Sequence, residues 1–169
     1  MLEDILLIQL LREYGASRLS NIDFSDYPWG TLIREARAAN LLCRIAVFLQ
    51  EQNILNSIPE RPRVHFANAL KLSAANDRSA RWEVKQIYRA LHSVNINFVL
   101  LKGTAYVFLG NMASKGRLFS DTDILVSNEQ LTTAESVLVG NGWFGDFFDT
   151  YNQRYYRQWM HEIPPLRHL

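Results

Sequence analysis

Two aspartates flanking one threonine, Asp121-Thr122-Asp123, are the side chains of this sequence best suited to chemistry. They head an apolar run, Ile124-Leu125-Val126, so residues 121–126 read as a strand. Alternation in a strand puts both carboxylates on one face, about 6.8 Å apart along the backbone. Thr122, Ile124 and Val126 then take the opposite face and pack into a core. Two acids on one half-buried surface repel each other and lose hydration, which a bound cation relieves. Hard oxygen donors with positions left open for water and phosphate suit Mg²⁺, or Mn²⁺ in its place. The plainer alternative is a strand end whose acids face solvent.

A second group precedes it. Lys102-Gly103-Thr104 ends the strand-length apolar run 96–101 and opens a short helical stretch, Ala105 to Leu109. A glycine there lets a ligand come close to the backbone, and the first free N–H groups of a helix attract anions. Lys102 adds a point charge and Thr104 a hydroxyl. No Gly-x-x-x-x-Gly-Lys-Ser/Thr pattern occurs, so this is not a P-loop. A glycine that merely turns the chain is the competing explanation.

The elements that must position these groups fall into two parts. Residues 1–93 read as helical. Leu2, Ile5, Leu6, Ile8 and Leu11 recur at helical spacing up to Tyr14-Gly15, and a turn-rich stretch, 21–28, follows. Leu32, Ile33, Ala36 and Ala39 make a second apolar face, and Leu41, Leu42, Ile45, Phe48 and Leu49 a third. Residues 56–63, with Pro59 and Pro62, read as a loop. A long helix then runs from about Val64 or Ala67 to His92, with Val84, Ile87, Tyr88 and Leu91 on its apolar face.

Residues 94–169 read as β-α-β-α-β. Ser127 with Gln130 is a capping-box pattern opening a helix to about Val139, and Gly140-Asn141-Gly142 ends it. Tyr151 to Glu162 reads as a strand of mixed polarity before Pro164-Pro165. The expected class is α+β, a helical N-terminal region packed on a small mixed sheet.

The combination of the two motifs carries more than either alone. Residues 98–126, FVLLKGTAYVFLGNMASKGRLFSDTDILV, resemble the nucleotidyltransferase superfamily that includes polymerase beta. More narrowly they are similar to an uncharacterised bacterial nucleotidyltransferase-like family whose core reads Leu-Lys-Gly, then Arg, then Asp-Ile-Asp-Leu-Leu-Val. The likeness extends to LIREARAANLLCRIAVFL upstream, and to GNGWF and HEIPPLRHL downstream.

The resemblance implies a nucleotidyltransferase fold and Mg²⁺-dependent transfer of a nucleoside monophosphate from a nucleoside triphosphate such as ATP to an acceptor hydroxyl. Asp121 and Asp123 would be the catalytic metal ligands, and Lys102, Gly103, Thr104 and Arg117 would hold the triphosphate. The acceptor could be protein, RNA or a small molecule. The superfamily takes a third carboxylate from a later strand. Before Leu169 only Glu162 lies on a strand-like segment, so the resemblance implies a core incomplete at its C-terminus. That favours the alternative of a non-catalytic nucleotide-binding or protein-interaction module, for instance a regulator or a toxin–antitoxin component.

Composition bounds the remaining classes. The chain has 169 residues, 48% of them hydrophobic, enough for a core without disulfides or structural metal. The lone Cys43, in an apolar helical context, reads as a buried thiol. The net charge of +1 conceals a division: residues 61–120 carry 10 Lys/Arg against 2 Asp/Glu, and residues 121–169 carry 3 against 7. The sign changes between Arg117 and Asp121. A pI near 7.9 argues against extended duplex DNA binding. No apolar run approaches the ~18–20 residues of a membrane span, and the acidic start lacks a signal-peptide pattern, so a cytoplasmic protein is expected.

His65, His92, His161 and His168 show no zinc spacing. The four tryptophans, scattered along the chain, read as core packing. Arg154, Tyr155, Tyr156 and Arg157 form an aromatic and basic cluster that could meet nucleic acid, or could simply be the polar side of a twisted strand.

Overall fold

The computed structural model describes residues 6–15, 27–145 and 149–168. Leu2, Ile5 and most of the turn-rich stretch 21–28 lie outside them. The described elements are α1 (Leu6–Gly15), α2 (Trp29–Ala38), α3 (Leu42–Glu51), α4 (Glu60–His92), β1 (Val99–Leu100), α5 (Lys102–Phe108), β2 (Ile124–Leu125), α6 (Leu131–Gly140), β3 (Trp143–Phe144), α7 (Thr150–Tyr155) and β4 (Arg167–His168). The class is α+β. Among the described residues the sheet component is two antiparallel pairs, β1 with β2 and β3 with β4. No described helix is long and apolar enough to cross a membrane.

The chain divides into two compact units. The first comprises Met1–Ala80 and Gly103–Asp121, the second Arg81–Lys102 and Thr122–Leu169. The first unit is built on helices whose apolar faces follow the 3.6-residue period. Trp29, Leu32, Ile33 and Ala36 of α2 meet Cys43, Ile45, Ala46, Phe48 and Leu49 of α3, with Phe66 and Ala69 of α4. Ala39, expected on the α2 face, is instead the exposed residue after its last turn. The Glu35 carboxylate accepts from Leu7 N–H at 2.9 Å, an anion placed at the start of α1 where it opposes the helix dipole. Burial pushes the Cys43 thiol up from its ordinary pKa. An acid held protonated in the folded state stabilises it fully below the unfolded thiol pKa of ~8.5, and that contribution fades as pH rises above it.

Four helices stop by the same local device. Asn40, Asn53, Asn95 and Gly110 adopt positive φ (56°, 60°, 59° and 62°). The next residue then bonds back five positions: Leu41 N–H to Ala36 O, Ile54 to Leu49, Ile96 to Leu91 and Asn111 to Tyr106. Asparagine is the side chain that most readily replaces glycine in this conformation, because its short amide can bond locally. At the other end of α4, Pro62 stands within the first turn rather than in a loop. There a missing N–H costs nothing, since the first four amides of a helix have no intrahelical acceptor.

The second unit packs Ile87, Ala90 and Leu91 of α4 against Ile96, Ala134, Leu138 and Trp143, with Phe98, Ile124, Val126 and Leu166 beside them. Tyr88, expected on that apolar face, lies outward and stacks on His92 with ring centroids 5.0 Å apart. The capping box does not form as expected. Ser127 Oγ donates to Gln130 Oε1 at 3.1 Å, a 3₁₀ turn intervenes at Asn128–Gln130, and α6 begins only at Leu131. The tail is not a strand. Asp149 Oδ1 accepts from Asn152 N–H at 3.0 Å and opens α7, which continues as a π-helical turn, Tyr156–Met160, and stops at His161 with φ 54°. Gln153 and Arg157, four apart, bond along this helix, a spacing that a strand cannot use.

In the loop after α5, Gly116 has φ +67°, and a Cβ there would collide with the Arg44 backbone. Gly116→Ala should therefore lower stability by about 2–4 kcal/mol, combining a left-handed backbone with overpacking. Denaturant unfolding followed by circular dichroism measures it, and a loss below ~0.5 kcal/mol would mean that the loop does not hold this approach to α3.

Candidate functional site

The division of the chain passes through both motifs. Lys102, Thr122 and Asp123 belong to the second unit; Gly103, Thr104, Arg117 and Asp121 belong to the first.

In the second unit β1 and β2 pair with Leu100 opposite Ile124 and Val99 opposite Leu125. The ladder continues by one more bond, Leu101 N–H to Asp123 O at 2.9 Å. This rung places the end of the first motif's strand beside the second motif. Lys102 Nζ lies 3.1 Å from Asp123 Oδ2, with the lysine side chain 69% exposed and the aspartate 33%. The pair supplies the neutralising cation that a half-exposed carboxylate favours, although an ion pair this wet contributes little stability. Lys102 itself has φ +48°, an uncommon conformation for a residue other than glycine. Thr122 Oγ1 donates to Glu83 Oε2 of α4 at 2.9 Å. Thr122 is thus half-buried against a carboxylate of α4 and does not pack into the apolar core expected of it.

Asp121 and Asp123 do not share a strand. Residues 117–123 carry no regular structure, and β2 begins only at Ile124. The alternation argument therefore holds for Ile124 and Leu125, half-buried and exposed, and does not extend to the acids. Their proximity comes from chain connectivity, which keeps Cα atoms two residues apart within about 7 Å. Asp121 is exposed and accepts from Ser120 Oγ at 3.1 Å.

In the first unit Gly103 is buried, and a Cβ on it would stand 2.5 Å from Phe119 Cδ1 and 2.7 Å from Cε1. The glycine here admits an aromatic ring. Phe119 is held by Asn76 of α4, whose Oδ1 accepts from Phe119 N–H at 2.8 Å and whose Nδ2 donates to Phe119 O at 2.9 Å. The Arg117 guanidinium lies 5.5 Å from the centre of the same ring, within cation–π reach. Thr104 is 1% exposed, so its hydroxyl belongs to the interior. Further back, Arg44 Nη2 donates to Ala113 O and Lys115 pairs with Glu51, so the loop carrying Arg117 is strapped to α3.

Among the described residues no three His, Cys, Asp or Glu side chains converge as a metal-holding group. Glu162 follows the π-helical turn, exposed, with its N–H bonded to Tyr156 O. Glu83, Asn76 and Phe119 escaped the sequence reading. The one available signal was scarcity: Glu83 is one of two acids in residues 61–120, and Asn76 is a poor helix former inside a long helix.

Removing the Asn76 amide, as in Asn76→Leu, leaves the Phe119 N–H and C=O without their partner and should cost about 1–3 kcal/mol. Asn76→Asp keeps the acceptor and loses the donor, so it should lie between the two. Thermal unfolding of the three proteins gives the ranking; equal midpoints would show that the clamp does not order the loop.

No curated protein and no solved structure matches this chain. A family profile described as uncharacterised nucleotidyltransferase matches residues 25–168, which takes in α2 through β4 and both motifs. With that span covered, this chain belongs to the uncharacterised nucleotidyltransferase family.

Proposed function

We propose that the chain adopts a nucleotidyltransferase fold and performs Mg²⁺-dependent transfer of a nucleoside monophosphate from a nucleoside triphosphate to an acceptor hydroxyl. The observation that carries this reading is the 3.1 Å approach of Lys102 Nζ to Asp123 Oδ2. A phosphate-seeking cation from one motif and a metal-seeking carboxylate from the other stand together, and Lys102 would exchange Asp123 for the phosphates when a metal takes the carboxylate.

The donor chemistry fits a hard divalent cation. Asp121 and Asp123 offer exposed and part-exposed carboxylate oxygens, and a cation of this kind keeps positions for water and phosphate oxygens. Bound there, Mg²⁺ or Mn²⁺ supplies charge to the phosphates and lowers the pKa of an acceptor hydroxyl. Lys102 and Arg117 offset the charge that develops on the leaving pyrophosphate. The Gly103 and Thr104 amides would join them, with the Phe119 ring filling the Cβ side of Gly103. The Thr122 to Glu83 bond restrains the residue that precedes Asp123.

Mg²⁺ with a mixture of the four ribonucleoside triphosphates should raise the melting temperature. At ligand about 100-fold above its dissociation constant the gain is about 2.7 kcal/mol, or roughly 5–10 °C for a chain of this size. The variant Asp121→Asn/Asp123→Asn should lose the shift. Release of pyrophosphate then separates transfer from binding alone: a full thermal shift without it identifies a nucleotide-binding module, and no shift with any triphosphate removes the nucleotide site altogether.

A further inference from the structure

We propose that Glu83 of α4 is a positioning residue, which acts through Thr122 to hold the Asp123 carboxylate where it takes a divalent cation. Its role rests on the reading of Asp123 as a cation ligand, and Glu83 belongs to neither motif. Thr122 Oγ1 donates to Glu83 Oε2 at 2.9 Å, and the carbonyl of the next residue, Asp123, accepts from Leu101 N–H at 2.9 Å. Asp123 stands ahead of β2, in a segment without regular structure. Its backbone is nevertheless tied on both sides, to α4 through Thr122 and to the end of β1 through Leu101.

The helix around Glu83 directs it to this one contact. It is the only acid from Arg78 to Lys102, a stretch with five Lys and Arg. None of those cations stands three or four positions from it, where a helix brings side chains together: the places hold Ser79, Ala80, Gln86 and Ile87. Among the described residues no ion pair involves Glu83, and the half-buried carboxylate has the Thr122 hydroxyl as its donor. A carboxylate only accepts, so the Thr122 proton points to Glu83, and a bond to a charged acceptor is about twice as strong as a neutral one. Beside Glu83, α4 is anchored by Val84 and Ile87, 5% and 4% exposed, so the restraint comes from a packed helix. Partners that orient a metal-binding side chain from behind matter to the metal: losing one typically costs ~10–100-fold in affinity.

The test is Mn²⁺ binding to the whole chain, without nucleotide, read from the electron paramagnetic resonance signal of the free ion. The wild type should bind, and Asp123→Asn should lose the site. Two variants then separate position from charge. Thr122→Val conserves shape and breaks the bond but keeps the Glu83 charge; Glu83→Gln removes the charge but keeps an acceptor for the Thr122 hydroxyl. Thr122→Val should weaken Mn²⁺ binding about 10-fold, and Glu83→Gln should stay within about threefold of the wild type. Glu83→Ala should also weaken it about 10-fold, and the double variant Glu83→Ala/Thr122→Val should bind no more weakly than Glu83→Ala, because both changes remove the same bond. The reverse pattern, loss in Glu83→Gln with Thr122→Val unchanged, overturns the proposal, as do losses that multiply in the double variant. Wild-type affinity in every Glu83 and Thr122 variant, with the site lost in Asp123→Asn, overturns it while leaving the metal site standing. A wild type that binds no Mn²⁺ removes the metal reading and the role of Glu83 together.

Discussion

One backbone hydrogen bond, from Leu101 N–H to Asp123 O, sets the register on which the candidate site depends. β1 and β2 are two residues long, so this rung is a large part of what aligns them. A shift of one residue would exchange Asp123 with Ile124, burying a carboxylate and exposing an apolar side chain. The burial of Ile124 and Val126 against the α4 and α6 core opposes that shift. The core therefore decides where Asp123 points, and the Lys102 contact follows from the register.

The same division of labour appears in the loop that carries Arg117. Its shape comes in part from neutral contacts, the Asn76 clamp on Phe119 and the close approach of Gly116 to Arg44, beside the charged straps from Arg44 to Ala113 O and from Lys115 to Glu51. Neutral clamps suit such a place. They do not compete for the anion that Arg117 would attract, and their strength does not change with ionic strength.

The sequence was most informative where structure is local. The apolar faces of α2 and α3, and the end of α4 at His92, follow from spacing and from an asparagine stop. Reading weakened where a residue's setting depends on a partner far along the chain. Asp121-Thr122-Asp123 looked like strand because Ile124-Leu125-Val126 does, yet the pairing that makes a strand reaches only Leu101. Gly103 suggested an open turn, and the residue that fills it lies sixteen positions on. Tyr151 to Glu162, rich in Tyr, Arg, Trp and Gln, reads as a strand of mixed polarity, but its conformation is decided by the Asp149 cap and by the Glu135 contact to Arg157. The two motifs themselves were plain from residue type and order, because they concern chemistry more than conformation.

The interleaving of the two units bears on how the chain folds as it is made. Neither unit is continuous: the first needs Gly103–Asp121 in addition to everything up to Ala80, and the second begins inside α4. During synthesis the helices α2 and α3 can form as they emerge, each stopped by its own local signal, but the first unit stays unfinished until about forty further residues have left the ribosome. At roughly 5–20 residues per second that is a delay of a few seconds. Through that interval Arg44, Glu51 and Asn76 lack the loop partners, Ala113, Lys115 and Phe119, that they hold in the finished unit.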